Sequence, residues 1–468
     1  MLIVIIIFLK MKINFYLFSS LFIFLFCYES DFELQYSNYD ENNIISSLRN
    51  IFLEIDVSFG SGSNSNKYKL TLDPDSHGTI IPGVNSNTKG NVQKYKITND
   101  FKLKKNITVI YSEKFYSGLK GEDTIQIGNS EPIKDKVSFV VANEFTSVGT
   151  NLNKYAFFGL KNSNNDDMYN LNIISQMKDN NLINYPTWFL SFNSDSKGKF
   201  VIGTLPHLYD NITYYETDMT KENCRAPCNI ISIEFQDIYY GNKNDYGNRE
   251  SIDSKHTTVY FSLNSRIIRC TPDYGDIIHK KFFEKQIKNH NCNEGILPDK
   301  YIYYYCEKKS FNISEMENLN FVTSVMSDNV TFVFEPKDLF YEKNDIYYFL
   351  IIYKPDDHVV PPDSEWLVGT LFLQKYLLAF NRNDKMIYFY KTTHTNNTSG
   401  NDDNGNGLSA KYIVIIVVLS VVLLGIIGFL IYYILKIKPR KKRANELADD
   451  FDYQEKQNEE GANAIINE

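Results

Sequence analysis

The chain has 468 residues, 43% of them hydrophobic and 23% charged, and a net charge of -8. That is enough for two ordinary domains or one large bilobal unit, and the apolar share calls for a folded globular body. The acidic balance and the lack of a basic face argue against a nucleic-acid partner.

Two apolar runs open the chain, Leu2–Leu9 and, after Lys10 and Lys12, Ile13–Phe26. The second, with its basic start and the sequence Cys27-Tyr28-Glu29-Ser30 behind it, reads as a secretory leader over residues 1–30, with Met11 as an alternative start. An uncleaved N-terminal anchor is the other reading. Residues 31–51 form a short N-terminal segment.

From Phe52 to Tyr390 the chain is dense in short alternating or β-branched runs separated by Gly, Asn and Asp. Tyr68–Leu72, Thr108–Tyr111, Thr124–Gly128, Val137–Val141, Lys199–Gly203, Thr331–Phe334 and Ile346–Tyr353 are expected strands, so the body is mostly β. Helical periodicity is scarce, with Tyr169–Lys178 and Asp276–Ile287 the better candidates. Phe157-Phe158-Gly159-Leu160 is echoed by Leu367-Val368-Gly369-Thr370, as a duplicated β lobe would produce. The expected division is an N-terminal β lobe over 52–216 and a C-terminal β lobe over 217–393.

Residues 394–411, rich in Asn, Thr, Ser, Gly and Asp, read as a flexible stalk. Tyr412–Leu435 is an apolar run of 24 residues, long enough to cross a bilayer as a helix. Lys436, Lys438, Arg440, Lys441, Lys442 and Arg443 follow at once, against Lys411 alone on the other side. Positive residues stay cytoplasmic, so the expected protein is single-pass type I, with its body luminal or extracellular and a cytoplasmic tail over 436–468. A secretory-pathway, endolysosomal or plasma membrane would hold it. Sequons at Asn106, Asn211, Asn312, Asn329, Asn396 and Asn397, all before the apolar run, agree with glycosylation on that route. Behind the leader, Cys224 with Cys228 and Cys292 with Cys306 are the expected disulfides, which leaves Cys270 as a free thiol or an intermolecular partner. No Cys or His pair complements Cys224-x-x-x-Cys228, so no metal is expected, and no cofactor either.

The segment Leu70-Thr-Leu-Asp73-Pro74-Asp75-Ser76-His77-Gly78-Thr-Ile-Ile-Pro82 is an alternating strand, a tight polar turn and a short apolar strand. It is followed in order by Tyr111–Gly128, Phe157–Leu160, Asn181–Phe192, Gly198–Gly203 and Glu365–Lys385. Together these segments resemble the pepsin-like aspartic proteases over Phe52–Tyr390. The resemblance implies a double β-barrel of two lobes with a central peptide-binding cleft, Asp73 in the first catalytic loop, and Tyr111 as the substrate-binding tyrosine of a flap hairpin. A plain strand residue is the other reading of Tyr111.

Proteolysis in that family needs one carboxylate from each lobe, sharing a proton because like charges at contact cannot both ionise. Each loop reads Asp-Thr/Ser-Gly. Here Pro74 and Asp75 stand in place of the hydroxyl residue and the glycine, and proline lacks both a hydroxyl and an N–H. The second loop is best aligned at Tyr260–Ile268, where Ser262 replaces the aspartate, Leu263 the hydroxyl residue and Asn264 the glycine. Ser112 and Lys114 replace flap glycines, and Ile80 replaces the tryptophan that supports the flap tyrosine. The short stretch between Ser30 and Phe52, with Arg49 its one basic residue, leaves no room for an inhibitory prosegment. The sequence therefore resembles an aspartic-type endopeptidase whose catalysis is in doubt, and an inactive, membrane-anchored protein that binds peptide or protein is the leading expectation. An active endopeptidase with a divergent dyad, using Asp253 or Asp273, and a structural surface glycoprotein are the alternatives.

Overall fold

The computed structural model describes residues 27–390 apart from 38, 63–64, 75, 89–92, 112–113, 134, 148–155, 162–170, 209–211, 220–231, 242–249, 252–256, 326–327, 356–365 and 382–383. The stalk, the apolar run and the tail lie outside the described residues, as do Asp75, Cys224, Cys228, Asp253, Asn211, Asn396 and Asn397. Among the described residues no helix is long and apolar enough to cross a membrane.

Strands dominate. The first half holds β1 (Tyr28–Tyr36), β2 (Ile51–Phe59), β3 (Asn66–Asp73), β4 (Ile80–Pro82), β5 (Lys102–Tyr111), β6 (Lys114–Asp123), β7 (Ile125–Ile127), β8 (Val137–Ser147), β9 (Phe157–Gly159), β10 (Thr187–Phe192), β11 (Lys197–Ile202) and β12 (Tyr214–Asp218). The second holds β13 (Ser232–Phe235), β14 (Asp237–Tyr240), β15 (Glu250–Ser251), β16 (Thr257–Phe261), β17 (Ile268–Cys270), β18 (Cys292–Ile296), β19 (Ile302–Glu307), β20 (Leu319–Val325), β21 (Asp328–Phe334), β22 (Phe340–Lys343), β23 (Ile346–Phe349), β24 (Ile351–Tyr353) and β25 (Trp366–Val368), followed by β26 (Leu377–Asn381) and β27 (Met386–Tyr390). The helices are short: α1 (Ile44–Arg49), α2 (Ile173–Asp179), α3 (Pro272–Ile278), α4 (Glu284–Lys288) and α5 (Thr370–Lys375), with a π turn, His279–Phe283, joining α3 to α4.

The patterning explains the layers. β2 alternates strictly, burying Ile51, Leu53, Ile55, Val57 and Phe59 on one face. β3 alternates up to Leu70 and is then wholly buried through Thr71, Leu72 and Asp73. That change follows from its neighbours: β2 runs antiparallel on one side and β9 parallel on the other, and a parallel-paired strand inside a sheet is covered on both faces.

Fourteen strands form one sheet in the order β12-β27-β26-β10-β11-β1-β2-β3-β9-β4-β8-β6-β5, with β7 on β2. β1 begins at Tyr28, so Tyr28, Glu29 and Ser30, which the sequence assigned to the leader, pair with Ile202, Val201 and Phe200 of β11. A nine-stranded and a four-stranded sheet make up the second half. One continuous apolar core runs from Phe32 to Phe389. Within it Trp188 of β10 stacks on its register partner Phe380 of β26 at 4.4 Å, and Phe380 meets Phe261 at 5.9 Å. These rings tie the end of β16 to the large sheet.

Candidate functional site

β3 delivers Asp73 to its last position, opposite Gly159 of β9. β9 is flanked on its other side by antiparallel β4, and β4 in turn runs parallel to β8. Between β3 and β4 the chain folds back on itself. Ser76 Oγ donates to Asp73 Oδ2 at 2.6 Å, and both residues are almost fully buried. The N–H of Leu160 donates to Asp73 O at 2.8 Å and that of Lys161 to Ser76 O at 3.0 Å. A Cβ on Gly159 would fall 2.5 Å from the carbonyl oxygens of Ser76 and Gly78, so this position has room only for glycine.

The same arrangement recurs in the second half. β16 runs parallel to β25, β25 is antiparallel to β17, and β17 is parallel to β24. The residue following β16 is Ser262, whose N–H donates to Val368 O at 2.9 Å. Gly369 follows β25, and a Cβ there would fall 2.2 Å from Ser265 O and 2.8 Å from Ile267 O. Ser76 lies three residues past Asp73, and Ser265 three past Ser262. Each gives its carbonyl to an N–H beyond the neighbouring glycine, that of Lys161 two past Gly159 and that of Thr370 one past Gly369. The strand arrangement around the two loops is thus repeated, with Asp73 at the end of β3 and Ser262 directly after β16.

A family model for eukaryotic aspartyl proteases matches residues 55–392. The chain belongs to that family. No curated protein matches it.

In this aspartyl protease chain the two loops differ in chemistry. The first carries the buried carboxylate of Asp73. The second carries no carboxyl group, and its serine hydroxyls bond within the loop. Ser262 Oγ accepts from Asn264 N–H at 3.2 Å and Ser265 Oγ from Ile267 N–H at 3.1 Å. The N-terminal segment engages this loop: Ile51 N–H donates to Asn264 O at 3.1 Å and Arg266 N–H to Leu48 O at 2.9 Å. The segment is fastened further by Arg49, whose guanidinium bonds both Asp299 oxygens at 3.0 and 2.7 Å and lies over the Tyr301 ring. That fork holds the Asp299 carboxyl below its ordinary range. Arg266 is itself buried, paired with Asp195 at 2.6 Å and set over Tyr341.

Other expected residues fall as follows. Tyr111 closes β5 opposite Lys114, at the turn of the β5–β6 hairpin, and its side chain lies outside the described ones. Asp273 is exposed in the first turn of α3, beyond β17. Cys292 and Cys306 form a disulfide between opposed positions of β18 and β19. Cys270 is a free, fully buried thiol that burial pushes well up, so it offers no surface for an intermolecular bond. Asn106 is exposed on β5, and exposed Asn312 caps a single 3-10 turn by accepting from Ser314; the side chain of Asn329 lies outside the described ones.

Two residues escaped the sequence reading. Ser76 donates its hydroxyl to Asp73 from three positions further on in the same loop. Asn172 pins the first loop: its Nδ2 donates to Gly159 O at 2.9 Å and to His77 O at 3.2 Å, while its Oδ1 caps α2 through Ser175 N–H at 3.0 Å. An Asn directly before Ile173-Ile174 is a helix N-cap signal, and it was the available clue.

Proposed function

We propose that this family member is a single-pass type I membrane glycoprotein that has lost proteolysis and holds a peptide or protein ligand in its interlobe cleft. The observation that carries this reading is Ser262, which directly follows β16 in the second loop, as Asp73 ends β3 in the first. Acid proteolysis needs one carboxylate to take a proton from water while the other protonates the scissile carbonyl. A serine hydroxyl holds its proton at every accessible pH and cannot alternate with Asp73. Pro74 and Leu263 remove the hydroxyls of the family loops as well. Membrane anchoring is supported by the apolar run Tyr412–Leu435 with six Lys and Arg residues directly behind it.

The test uses the detergent-solubilised full chain. Peptide-library hydrolysis is measured from about pH 3 to pH 6, where a shared-proton dyad works, with and without a transition-state-mimicking inhibitor. The expected result is no inhibitor-sensitive cleavage, together with retention on a peptide array. Inhibitor-sensitive turnover that disappears in Asp73→Ala would overturn the reading.

A further inference from the structure

β5 is the last strand of the fourteen-stranded sheet, and among the described residues it pairs with β6 alone. Over Asn106–Tyr111 no described strand lies on the outer side, which is a template on which a second strand can add. The two halves of this edge differ. Lys102, Lys104 and Lys105 are exposed, and the register with β6 shifts between Leu103 and Lys105, so charge and a bulge blunt the first half.

The second half, Asn106-Ile-Thr-Val-Ile-Tyr111, has no charge, no Pro and no Gly, and is mostly β-branched. That is the composition of a self-pairing segment. Ile107 and Val109 pack inward against the cluster of Ile80, Val140 and Phe157, so they offer no protection at the surface. Asn106 and Thr108 alternate with them, and both are exposed. They are also the first and third residues of a sequon.

We propose that Asn106 carries an N-linked oligosaccharide that guards the open edge of β5 against pairing with β5 of a second copy. The inference rests on the luminal reading above. In the transfer, Asn106 Nδ2 loses a proton and bonds the anomeric carbon of an oligosaccharide carried on a lipid diphosphate. The sugar–phosphate bond breaks, and its electron pair leaves with the diphosphate. The glycan supplies at Asn106 the bulk and hydration that lysines supply upstream.

The experiment expresses the full chain in a eukaryotic secretory host. Enzymatic sugar release in heavy-oxygen water, followed by mass spectrometry, reads occupancy at Asn106 and Asn312. Size exclusion with light scattering reads assembly of the detergent-solubilised protein. Thr108→Val removes the sequon and keeps the strand chemistry; Thr108→Lys removes the sequon and adds an edge charge. We expect Asn106 to be occupied, a severalfold larger dimer-and-above fraction for Thr108→Val, and a monomer for Thr108→Lys. Asn106→Gln reads the same loss without touching Thr108. A Thr108→Val chain and an Asn106→Gln chain both as monomeric as the parent overturn the proposal, and so does a Thr108→Lys chain that assembles like Thr108→Val. Occupied Asn312 with empty Asn106 overturns this proposal alone. Both sites empty overturns the luminal reading with it.

Discussion

The Ser76 hydroxyl donates to the Asp73 carboxylate at 2.6 Å in a site closed to solvent. A buried hydrogen bond to a charged acceptor contributes about 1.5–3 kcal/mol, so Ser76→Ala is expected to destabilise the chain by that amount in urea at neutral pH. Most of that loss should vanish in the background of Asp73→Ala, which removes the acceptor, because the two changes act on one interaction. Additive losses would show that the serine acts elsewhere.

Gly159 and Gly369 face matching walls. A Cβ at either would meet backbone carbonyl oxygen at 2.5 or 2.2 Å, and backbone cannot rotate away as a side chain can. Each Gly→Ala change is expected to cost about 1–3 kcal/mol or to prevent folding, with similar penalties in thermal melts. A Gly369→Ala chain as stable as the parent would break the equivalence of the two loops.

Restoring one carboxyl is not expected to restore chemistry. Ser262→Asp alone should leave peptide hydrolysis at background from about pH 3 to pH 6, because Pro74, Leu263 and Asn264 still lack the hydroxyls and the close backbone approach that hold a shared proton. Measurable inhibitor-sensitive turnover in this single variant would show that the rest of both loops is already competent.

Stability should fall in strong base. Burial pushes the phenols of Tyr240 and Tyr353 up from an ordinary 10.0 to about 12, and those of Tyr95, Tyr304 and Tyr376 further still. In the unfolded chain these groups release protons near pH 10 while the folded chain retains them, so the unfolded state is favoured as pH climbs. Their contribution is complete below about pH 10 and is lost progressively up to about pH 12 and beyond. Melting temperatures recorded from neutral to strongly alkaline pH should hold level and then drop through that window; a level profile throughout would contradict the burial of these phenols.

The Cys292–Cys306 bridge closes a sequence separation of 14 residues. A loop of that size gives about 3 kcal/mol in the chain-entropy account, so Cys292→Ala with Cys306→Ala should lower the urea midpoint correspondingly. Reducing the parent protein should give at least that shift, since Cys270 is already a thiol and any bridge between Cys224 and Cys228 opens as well. An unchanged midpoint in both would show that the hairpin needs no cross-link.

Local pattern was legible; long-range pairing was not. The two apolar-apolar-glycine echoes fall on β9 and on the end of β25 with the glycine after it, because close packing against a carbonyl leaves its mark as a glycine in the sequence. The run Ile346–Tyr353 reads as one strand, yet it breaks at Leu350, whose N–H donates to Leu339 O while its C=O accepts from Ile268 N–H. Those partners lie elsewhere in the chain and leave no trace in the run. The helix expected over Asp276–Ile287 is found as α3, the π turn and α4, and the one expected over Tyr169–Lys178 as α2 from Ile173. The alignment of apolar flanks put Ser262 in the second loop, and Ser262 directly follows β16. The Ser76 bond to Asp73 was not legible, because it depends on how tightly the turn folds.

The central sheet sets a schedule for synthesis. Its middle is laid down by β1, β10 and β11, but the edge of β10 waits for β26, whose Phe380 covers Trp188. A ribosome delivers that cover only after the whole second half has been made. Until then the nascent chain exposes an apolar strand edge, so its vulnerable interval is a property of topology rather than of any single weak contact. A stop codon anywhere before Leu377 makes that interval permanent, and such truncations are expected to be cleared by quality control even when every residue of the first loop is intact.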